Sequence, residues 1–289
     1  MDASARLEQD LEAAVSRSAG GDCPPRLAEA IRYAVFPGGA RVRPRLCLAV
    51  AKACDDTNPA ASVAAATAIE LLHCASLVHD DLPCFDGADI RRGKPSVHKA
   101  FGEPLALLTG DALIVAAFEH LALRLAVIPD RLAALTRIVA GSVGGPSGIV
   151  AGQAWECEPA MDMIQYQRAK TGALFAGCTM AGAAASSFEP TAWQPLGLAI
   201  GEAFQVADDI RDVAGDMAVI GKPTGQDAAH DRPNAVDLLG FDGAMIRFEG
   251  LIATAVSLIP DCPGADSLAV QIVAVSRGLV SGLGARQAA

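Results

Sequence analysis

Residues 80–86 read DDLPCFD and residues 208–212 read DDIRD, and each stretch stands at the end of a strongly apolar, helix-like segment. Carboxylates placed beside apolar residues are costly to keep charged unless a cation meets them, because desolvating an unpaired charge costs free energy. Mg²⁺ is the natural partner, since it is a hard cation that prefers oxygen ligands. Two such clusters in one chain therefore indicate magnesium-bridged diphosphate chemistry.

The second cluster predicts a common direction for its carboxylates. Asp208 and Asp212 are one helical turn apart on one face, and Asp209 lies three residues before Asp212. These side chains can point at one cluster of ions. Solvated acids at helix ends are the alternative explanation for either cluster taken alone.

The first cluster predicts a break in its helix. Pro83 disfavours helix at the residue before it, so the chain should unwind just after Asp81 and bring Asp86 back by a turn. His79, directly before Asp80, is predicted to be a structural or hydrogen-bonding residue, because Mg²⁺ prefers oxygen ligands.

Basic residues stand beside Gly and Pro at four places, although the chain has a formal net charge of −10. They lie in FPGGARVRP (36–44), DIRRGKPSVH (89–98), KTG (170–172) and GKP (221–223). Arg suits a diphosphate because its planar fork binds two oxygens, while Lys acts as a compact point charge. Surface ion pairs with the aspartates are the alternative, and for Lys94 they explain the residue equally well.

Composition predicts the fold class. Hydrophobic residues make up 52% of the 289 residues and aromatic residues only 4%. A mixture rich in Ala, Leu and Val favours closely packed helices over a sheet, so the predicted class is all-α. No linker, repeat or low-complexity segment divides the chain, and residues 1–289 are predicted to form a single domain.

Periodicity and breakers place eleven helices along the chain. They are predicted at about residues 3–19, 25–36, 42–55, 59–80, 104–124, 129–142, 147–158, 160–187, 191–215, 232–258 and 265–284. The two long connections, 82–103 and 215–232, each follow an acidic cluster. Long connections are often functional lids, so these two are predicted to fold over bound diphosphate and exclude water.

The remaining features indicate a cytoplasmic protein. The first residues lack a basic region followed by an apolar core, which predicts no secretory signal. Charged or polar residues interrupt the longer apolar stretches, so no membrane-spanning run is expected. The acidic balance argues against a nucleic-acid surface. No C-x-x-C pair occurs, and the eight cysteines are predicted to be reduced, at positions 23, 47, 54, 74, 84, 157, 178 and 262.

Several motifs in a fixed order carry a family resemblance over nearly the whole chain. They lie at residues 36–44, 70–98, 110–111, 152–153, 170–172, 204–212 and 221–227. In these residues the chain resembles the trans-isoprenyl diphosphate synthases, and most closely the geranylgeranyl diphosphate synthases of bacterial carotenoid and photosynthetic-pigment pathways. The resemblance implies the isoprenoid synthase fold, a single large helical bundle around a deep central hydrophobic pocket, and a homodimer.

The reaction that the resemblance implies is a Mg²⁺-dependent head-to-tail condensation. An allylic diphosphate (dimethylallyl, geranyl or farnesyl) ionises, the double bond of isopentenyl diphosphate attacks the carbocation, and a proton is lost. No nucleophilic side chain is needed, which fits the lack of a Ser-His-Asp or Cys-His set. Metal ions and fixed cations stabilise the departing charge, and a dry apolar pocket protects the carbocation.

Site residues follow from the resemblance position by position. The implied metal ligands are Asp80, Asp86, Asp208 and Asp212, with Asp81 and Asp209 as ligands or as their hydrogen-bonding partners. The implied clamp for the allylic diphosphate consists of Arg91, Lys170 and Lys222. The implied site for isopentenyl diphosphate consists of Arg43, His73 and Arg92, with Arg41 as a neighbour. Thr171 and Gln205 are implied to place oxygen dipoles near the carbocation, although Thr171 is equally explained as an ordinary helix hydroxyl.

Two positions depart from the family pattern. Ala40 stands where the family usually has Lys, and Gln226 stands where Lys is frequent. Each change removes a cation that could contact phosphate. We expect weaker binding of isopentenyl diphosphate from the change at Ala40, and not inactivation.

Product length is predicted from the helix that carries Asp80. The resemblance places the chain-length gate at the fifth position upstream, Ala75, where a small residue leaves the floor open for a twenty-carbon geranylgeranyl product. Helical periodicity selects Ser76, one turn from Asp80, at least as readily.

Three alternatives share part of this pattern. A farnesyl diphosphate synthase differs in product length alone. A terpene cyclase shares the first cluster but normally has an Asn/Ser/Glu metal motif, which the second cluster at 208–212 opposes. A non-catalytic regulatory subunit of a prenyl synthase usually lacks one or both clusters, and both are intact here.

Overall fold

The computed structural model of the protein describes residues 2–36, 38–160, 162–214 and 234–280. These described residues are 77% helical, which confirms the all-α class. The α-helices are α1 (Ala3–Ser18), α2 (Pro25–Val35), α3 (Val42–Ala53), α4 (Pro59–Asp80), α5 (Val97–Phe101), α6 (Glu103–Leu125), α7 (Pro129–Val143), α8 (Ile149–Trp155), α9 (Met163–Gln167), α10 (Ala173–Ala185), α11 (Gln194–Ala214), α12 (Ala235–Ser257) and α13 (Ala265–Val280). A π-helical turn spans Arg168–Gly172, and a 3₁₀ turn spans Pro190–Trp193.

Two segments differ from the sequence prediction. The connection 82–103 contains a small antiparallel hairpin, β1 (Ile90–Arg91) with β2 (Lys94–Pro95), and then α5. The helix predicted at 160–187 is divided into α9, the π turn and α10. The predicted connection 215–232 lies outside the described residues, so its role as a lid stays a prediction.

Helix α4 forms the centre of the core. It begins at Pro59, a residue suited to a first helical position, and the side chain of Asn58 caps it by accepting a hydrogen bond from Ala61 N at 3.3 Å. Six of its fifteen buried residues are Ala, and these small side chains allow α3, α6 and α10 to pack closely around it. This packing fixes the direction in which Asp80 leaves the bundle.

By length and composition alone, α4 and α6 could each cross a membrane, which the sequence analysis did not expect. The apolar window of α4 is 83% buried within the protein, as in a core helix. The window of α6 is 44% buried, because one of its faces packs on α4 and the other is exposed.

Helices α10 and α11 approach each other through glycine. A Cβ atom on Gly197 would lie 2.4 Å from the Cα atom of Ala176, so only glycine allows this backbone contact. The close approach brings Gln205 of α11 beside Thr171 in the π turn that precedes α10. The two helices can therefore line one cavity.

A buried polar network joins α1, α4 and α6. Asp10 accepts hydrogen bonds from His120 Nε2 at 2.7 Å and from Thr67 Oγ1 at 3.2 Å, and Arg124 lies 3.3 Å from its second oxygen. Arg17 donates to His120 Nδ1 at 2.7 Å. Since Arg can only donate, Nδ1 is the acceptor and the imidazole is neutral. Although burial opposes it, the hydrogen bond from His120 helps to lower the pKa of Asp10.

We expect Asp10→Asn to lower the free energy of unfolding by about 2 kcal/mol at pH 7, because the buried hydrogen bonds from His120 and Thr67 lose a charged acceptor. Urea denaturation measures this difference. A folded-state pKa below the unfolded value stabilises the protein above that unfolded value, so the difference should shrink as the pH falls below about 4. Arg124→Ala is the control; its side chain is 44% exposed, and we expect a loss under about 1 kcal/mol. Equal losses in the two variants would contradict this account.

Candidate active site

Both acidic clusters face one cavity of about 230 Å³. Asp80 and Asp86 line it from the first cluster, and Asp208 and Asp212 line it from the second. The four residues that the sequence predicts as metal ligands are therefore brought together, although about 120 residues separate the clusters along the chain.

The first cluster has the predicted turn. Helix α4 ends at Asp80, and the amide of Asp86 donates to the carbonyl oxygen of Asp80 at 3.0 Å. Burial, together with the nearby carboxylate of Asp86, raises the pKa of Asp80 in spite of the attraction of Lys170. The charged form of Asp80 is therefore incompletely compensated by protein groups, and a cation bound in the cavity would stabilise it.

Asp81 is turned away from the cavity and is 2% exposed. It accepts a hydrogen bond from Arg91 Nε at 3.0 Å, while Arg91 itself lines the cavity and lies 3.8 Å from Asp80. Although burial opposes it, the hydrogen bond to Asp81 raises the pKa of Arg91. Asp81 thus holds a cation at the edge of the cavity and does not itself face the other aspartates.

Lys170 is held between two carboxylates. Its Nζ atom lies 3.2 Å from Asp80 Oδ1 and 2.6 Å from Glu156 Oε1. Glu156 also accepts hydrogen bonds from Tyr166 Oη at 2.8 Å and from the Gln153 amide at 3.0 Å. The neighbouring Asp80 raises the pKa of Lys170 against the effect of burial, so the ammonium group stays charged.

Glu156 and Tyr166 were not predicted from the sequence as site residues. The one available signal was the position of Glu156, three residues after Gln153, which places both side chains on one helical face. This signal is weak, because many exposed glutamates have the same spacing from a polar residue.

The π turn presents Lys170 and Thr171 together to the cavity. Thr171 donates to Gln205 Oε1 at 3.2 Å, and Gln205 donates to Asp209 Oδ1 at 3.0 Å. Asp209 is 4% exposed and also accepts from the amide of Ala235 at 2.9 Å. It therefore orients Gln205 and does not line the cavity.

A second cavity of about 200 Å³ adjoins the first. The two share Arg43, His73, Leu77 and Arg91, so a molecule in one contacts the walls of the other. The second cavity is also lined by Arg41 and Arg92, which the sequence assigns to isopentenyl diphosphate. Ala40, which departs from the family pattern, lines it as well.

Arg43 is held between two aromatic rings. Its guanidinium carbon lies 4.6 Å from the ring centre of Phe175 and 5.4 Å from that of Phe204. One of its amino groups is 3.3 Å from His73 Nε2. Burial and four nearby arginines lower the pKa of His73 well below 6.5, so the ring is neutral and accepts from Arg43. The region combines a neutral imidazole with fixed positive charge, which suits an anion.

Arg41 is bound by protein groups on three sides. It donates to Glu70 at 2.6 Å, to Glu8 at 3.0 Å and to the carbonyl oxygen of Val35 at 3.1 Å, and it is 5% exposed. Although burial opposes it, hydrogen bonding to Glu8 helps to raise the pKa of Arg41. These contacts favour a structural role in the turn before α3 over direct contact with a substrate.

Three further predicted positions have different outcomes. Ser76 lines the first cavity, whereas Ala75 is 1% exposed and packs in the main core. Lys222 lies outside the described residues. His79 lies 3.1 Å from the carbonyl oxygen of Leu107, which supports the expected hydrogen-bonding role, and it leaves no space for a Cβ atom on Gly110.

Comparison with known proteins agrees with this geometry. The family model for polyprenyl synthetase matches residues 24–243. Geranylgeranyl diphosphate synthases of Cereibacter sphaeroides and Rhodobacter capsulatus are 54% and 52% identical to the chain over 267 residues, which is 92% of this chain and 93% and 92% of those proteins.

Solved structures show the same fold. An FPP/GFPP synthase from Zymomonas mobilis has a TM-score of 0.77 at 31% identity, over 96% of this chain and 97% of that one. A geranyltransferase from Helicobacter pylori, complexed with magnesium and isoprenyl diphosphate, has a TM-score of 0.77 at 29% identity, over 95% and 97% of the two chains.

The helical fold and the cavity between two aspartate clusters define a prenyltransferase with the isoprenoid synthase fold. The chain belongs to the polyprenyl synthetase family, and its enzyme type is that of the geranylgeranyl diphosphate synthases. The predicted family, fold and enzyme type are confirmed.

We expect Glu156→Gln to lower kcat/KM for the allylic substrate about tenfold, or about 1.4 kcal/mol, because Lys170 loses one of the two carboxylates that position it. Steady-state kinetics with varied allylic substrate measure this change. Glu156→Asp should retain more activity because it keeps the charge. Glu158→Gln, at an exposed position two residues away, is the control and should match the wild type. Wild-type kinetics in Glu156→Gln would show that Lys170 needs no such partner.

Proposed function

We propose that the protein catalyses the Mg²⁺-dependent condensation of isopentenyl diphosphate with allylic diphosphates to give geranylgeranyl diphosphate. The observation that carries this proposal is the meeting of both aspartate clusters at one cavity beside Lys170 and Arg91. The names of the two bacterial relatives at 54% and 52% identity support the twenty-carbon product. A cytoplasmic enzyme that supplies carotenoid or bacteriochlorophyll synthesis is the setting we propose.

The donor set of the cavity fits Mg²⁺. Its four carboxylates supply the oxygen ligands that Mg²⁺ prefers, and substrate phosphate oxygens and water would complete the coordination. Asp80, Asp86, Asp208 and Asp212 would hold the ions. Bound Mg²⁺ would supply Lewis acidity that stabilises the charge of the leaving diphosphate.

The protein's own groups complete the reaction site. Arg91 and Lys170 donate to the allylic diphosphate, and Asp81 and Glu156 hold them ready before the substrate arrives. Arg43, His73 and Arg92 hold isopentenyl diphosphate in the adjoining cavity. Oxygens of Thr171 and Gln205 lie beside the position of the developing carbocation. The apolar side chains that exclude water from the carbocation are Leu77, Ile149 and Leu174.

Removal of divalent ions with EDTA should abolish turnover, and Asp80→Asn and Asp208→Asn should each lower kcat at least about 100-fold, equivalent to about 2.7 kcal/mol of lost stabilisation. The assay measures condensation of labelled isopentenyl diphosphate with each allylic primer, followed by product chain length. Asp89→Asn is the matched control, since Asp89 is exposed, does not line the cavity and pairs with Lys99. Near-normal kcat in both cavity variants would exclude the proposed site.

The cavity favours Ser76 as the residue that limits product length. Ser76 lies four residues before Asp80, about 6 Å along the helix axis, and its side chain reaches the cavity wall. Ala75, which the family resemblance selects, is enclosed by core side chains. A growing chain held at its diphosphate end by the aspartates meets Ser76 first.

We expect Ser76→Phe to shift the main product from twenty to fifteen carbons, because the ring fills cavity volume without touching the aspartates. Ala75→Phe is the matched variant, and we expect it to destabilise the fold by about 1–3 kcal/mol through overpacking. Product chromatography and urea denaturation measure the two effects. If Ala75→Phe folds and makes a shortened product while Ser76→Phe still makes the twenty-carbon product, then Ala75 limits product length and Ser76 does not.

The exposed face of α6 supports the proposed homodimer. Large apolar side chains on this face have exposed fractions of 49% to 67%, and they are Leu107, Leu108, Val115 and Leu123. A row of such residues along one helix is costly to leave in water and is suited to burial against a second copy.

A further inference from the structure

The largest cavity described in the protein lies outside the proposed active site. It has a volume of about 820 Å³ and runs between α7 and the segment that joins α10 to α11. Its floor is a row of mostly small residues on α10: Ala173, Ala176, Gly177, Met180 and Ala184. We name it the α10 groove. This volume is within the range of small-molecule sites, about 300–1,000 Å³.

The length and walls of the groove suit a hydrocarbon chain. Its floor extends from Ala173 to Ala184, about 16 Å of helix. Ile138, Trp155, Phe188 and Leu198 add apolar side chains at the sides. An apolar floor of this length is suited to one extended chain.

The rim of the groove carries positive charge in a chain whose formal net charge is −10. Arg131, Arg137 and Arg168 line it, and Glu189 is the one carboxylate among its described lining residues. Arg131 donates to Ser187 Oγ. None of the three arginines lies within 4.0 Å of a carboxylate in the part of the chain that the structure describes, although Glu189 interacts with Arg137 at longer range. Unpaired arginines above an apolar floor favour an amphiphilic anion.

The π turn forms a wall between the α10 groove and the proposed active site. Lys170 and Leu174 line the active-site cavity, whereas Arg168 and Ala173 of the same segment line the groove. A ligand in the groove therefore contacts the backbone that positions Lys170. A small shift of this turn on ligand binding in the groove would be enough to move Lys170 in the active-site cavity.

We propose that the α10 groove binds one long-chain prenyl diphosphate, with its chain on the α10 floor and its diphosphate at the arginines, and that this binding slows turnover through the π turn. The identity of the ligand rests on the proposed function, because geranylgeranyl diphosphate would be the product.

Isothermal titration calorimetry of the full chain with geranylgeranyl diphosphate in EDTA tests the binding. EDTA removes the ions that would hold a diphosphate at the aspartates, and saturating isopentenyl diphosphate fills the adjoining arginine-lined cavity, so the remaining heat reports the groove. One molecule should bind per chain. Arg137→Glu, which reverses a rim charge, and Ala134→Trp, which fills the groove from α7, should each weaken binding at least about tenfold, or about 1.4 kcal/mol.

Arg277→Glu and Ala274→Trp are the matched controls on the exposed face of α13, and both should bind as the wild type does. Inorganic diphosphate and geranylgeraniol should each bind at least about tenfold more weakly than the whole ligand, because each lacks one of the two recognised parts. Equal binding of inorganic diphosphate, wild-type affinity in both groove variants, or no binding in EDTA would overturn the proposal.

Initial rates with Mg²⁺ test the regulation. Added geranylgeranyl diphosphate should slow the wild type even at saturating allylic substrate. Arg137→Glu and Ala134→Trp should keep their basal rate. They should lose the inhibition that persists at saturating allylic substrate, while any inhibition that competes with the allylic substrate stays unchanged. Inhibition that is wholly competitive in the wild type would overturn the regulatory claim.

Two results distinguish this proposal from a subunit interface at the groove and from a failure of the proposed function. If sedimentation shows that Arg137→Glu changes the oligomeric state, the groove belongs to an interface between copies and the proposal is wrong. If the wild type condenses no substrate, the proposed function fails, while the calorimetry with and without the groove substitutions still decides whether the groove binds the amphiphile.

Discussion

Carboxylates that stand among apolar helices must each meet a positive charge or hydrogen-bond donors, and the site is arranged around this constraint. In both aspartate pairs the first residue faces the cavity and the second is buried. Asp81 binds Arg91, and Asp209 binds Gln205 and the start of α12. The second aspartate of each pair thus positions a group whose other side lines the cavity. A pair of adjacent aspartates therefore serves two purposes that a single aspartate could not.

In the adjoining cavity the charged lining groups are mainly arginines, not aspartates. Arg43 is enclosed by Phe175 and Phe204, and burial lowers its pKa in spite of nearby negative groups. His73 is kept neutral by burial and by the surrounding arginines. The region therefore holds positive charge that the protein satisfies only in part, which suits an anion. Under the proposed function, the buried arginines would carry more of the diphosphate binding, because Ala40 stands where the family resemblance leads one to expect a lysine.

The sequence predicted those features that depend on local chemistry. Helix α4 has the predicted bounds because Asn58 and Pro59 start it and Pro83 stops it. The inward turn of Arg41 depends on Glu8, which lies 33 residues earlier, and on a left-handed backbone at Arg41 itself (φ 52°). Neither is visible in a local pattern. Periodicity alone placed Ser76 on the cavity side of α4, and the structure agrees.

The helix predicted at residues 160–187 is present from Met163 to Ala185, and the π turn is a departure from regular α-helix within it that the sequence did not predict. The backbone of Lys170 lies so close to α8 that a Cβ atom on Gly152 would be 2.3 Å from Lys170 N. A π turn adds a residue to the helical repeat at this contact, and it presents both Lys170 and Thr171 to the cavity. Such a turn has poorer packing than an α-helix, so it persists only where neighbouring groups fix it. Glu156 and Gln205 hold its two polar side chains, one on each side. Glu156 and Gln205, which orient Lys170 and Thr171, therefore also stabilise an unfavourable backbone, and a change at either residue affects both.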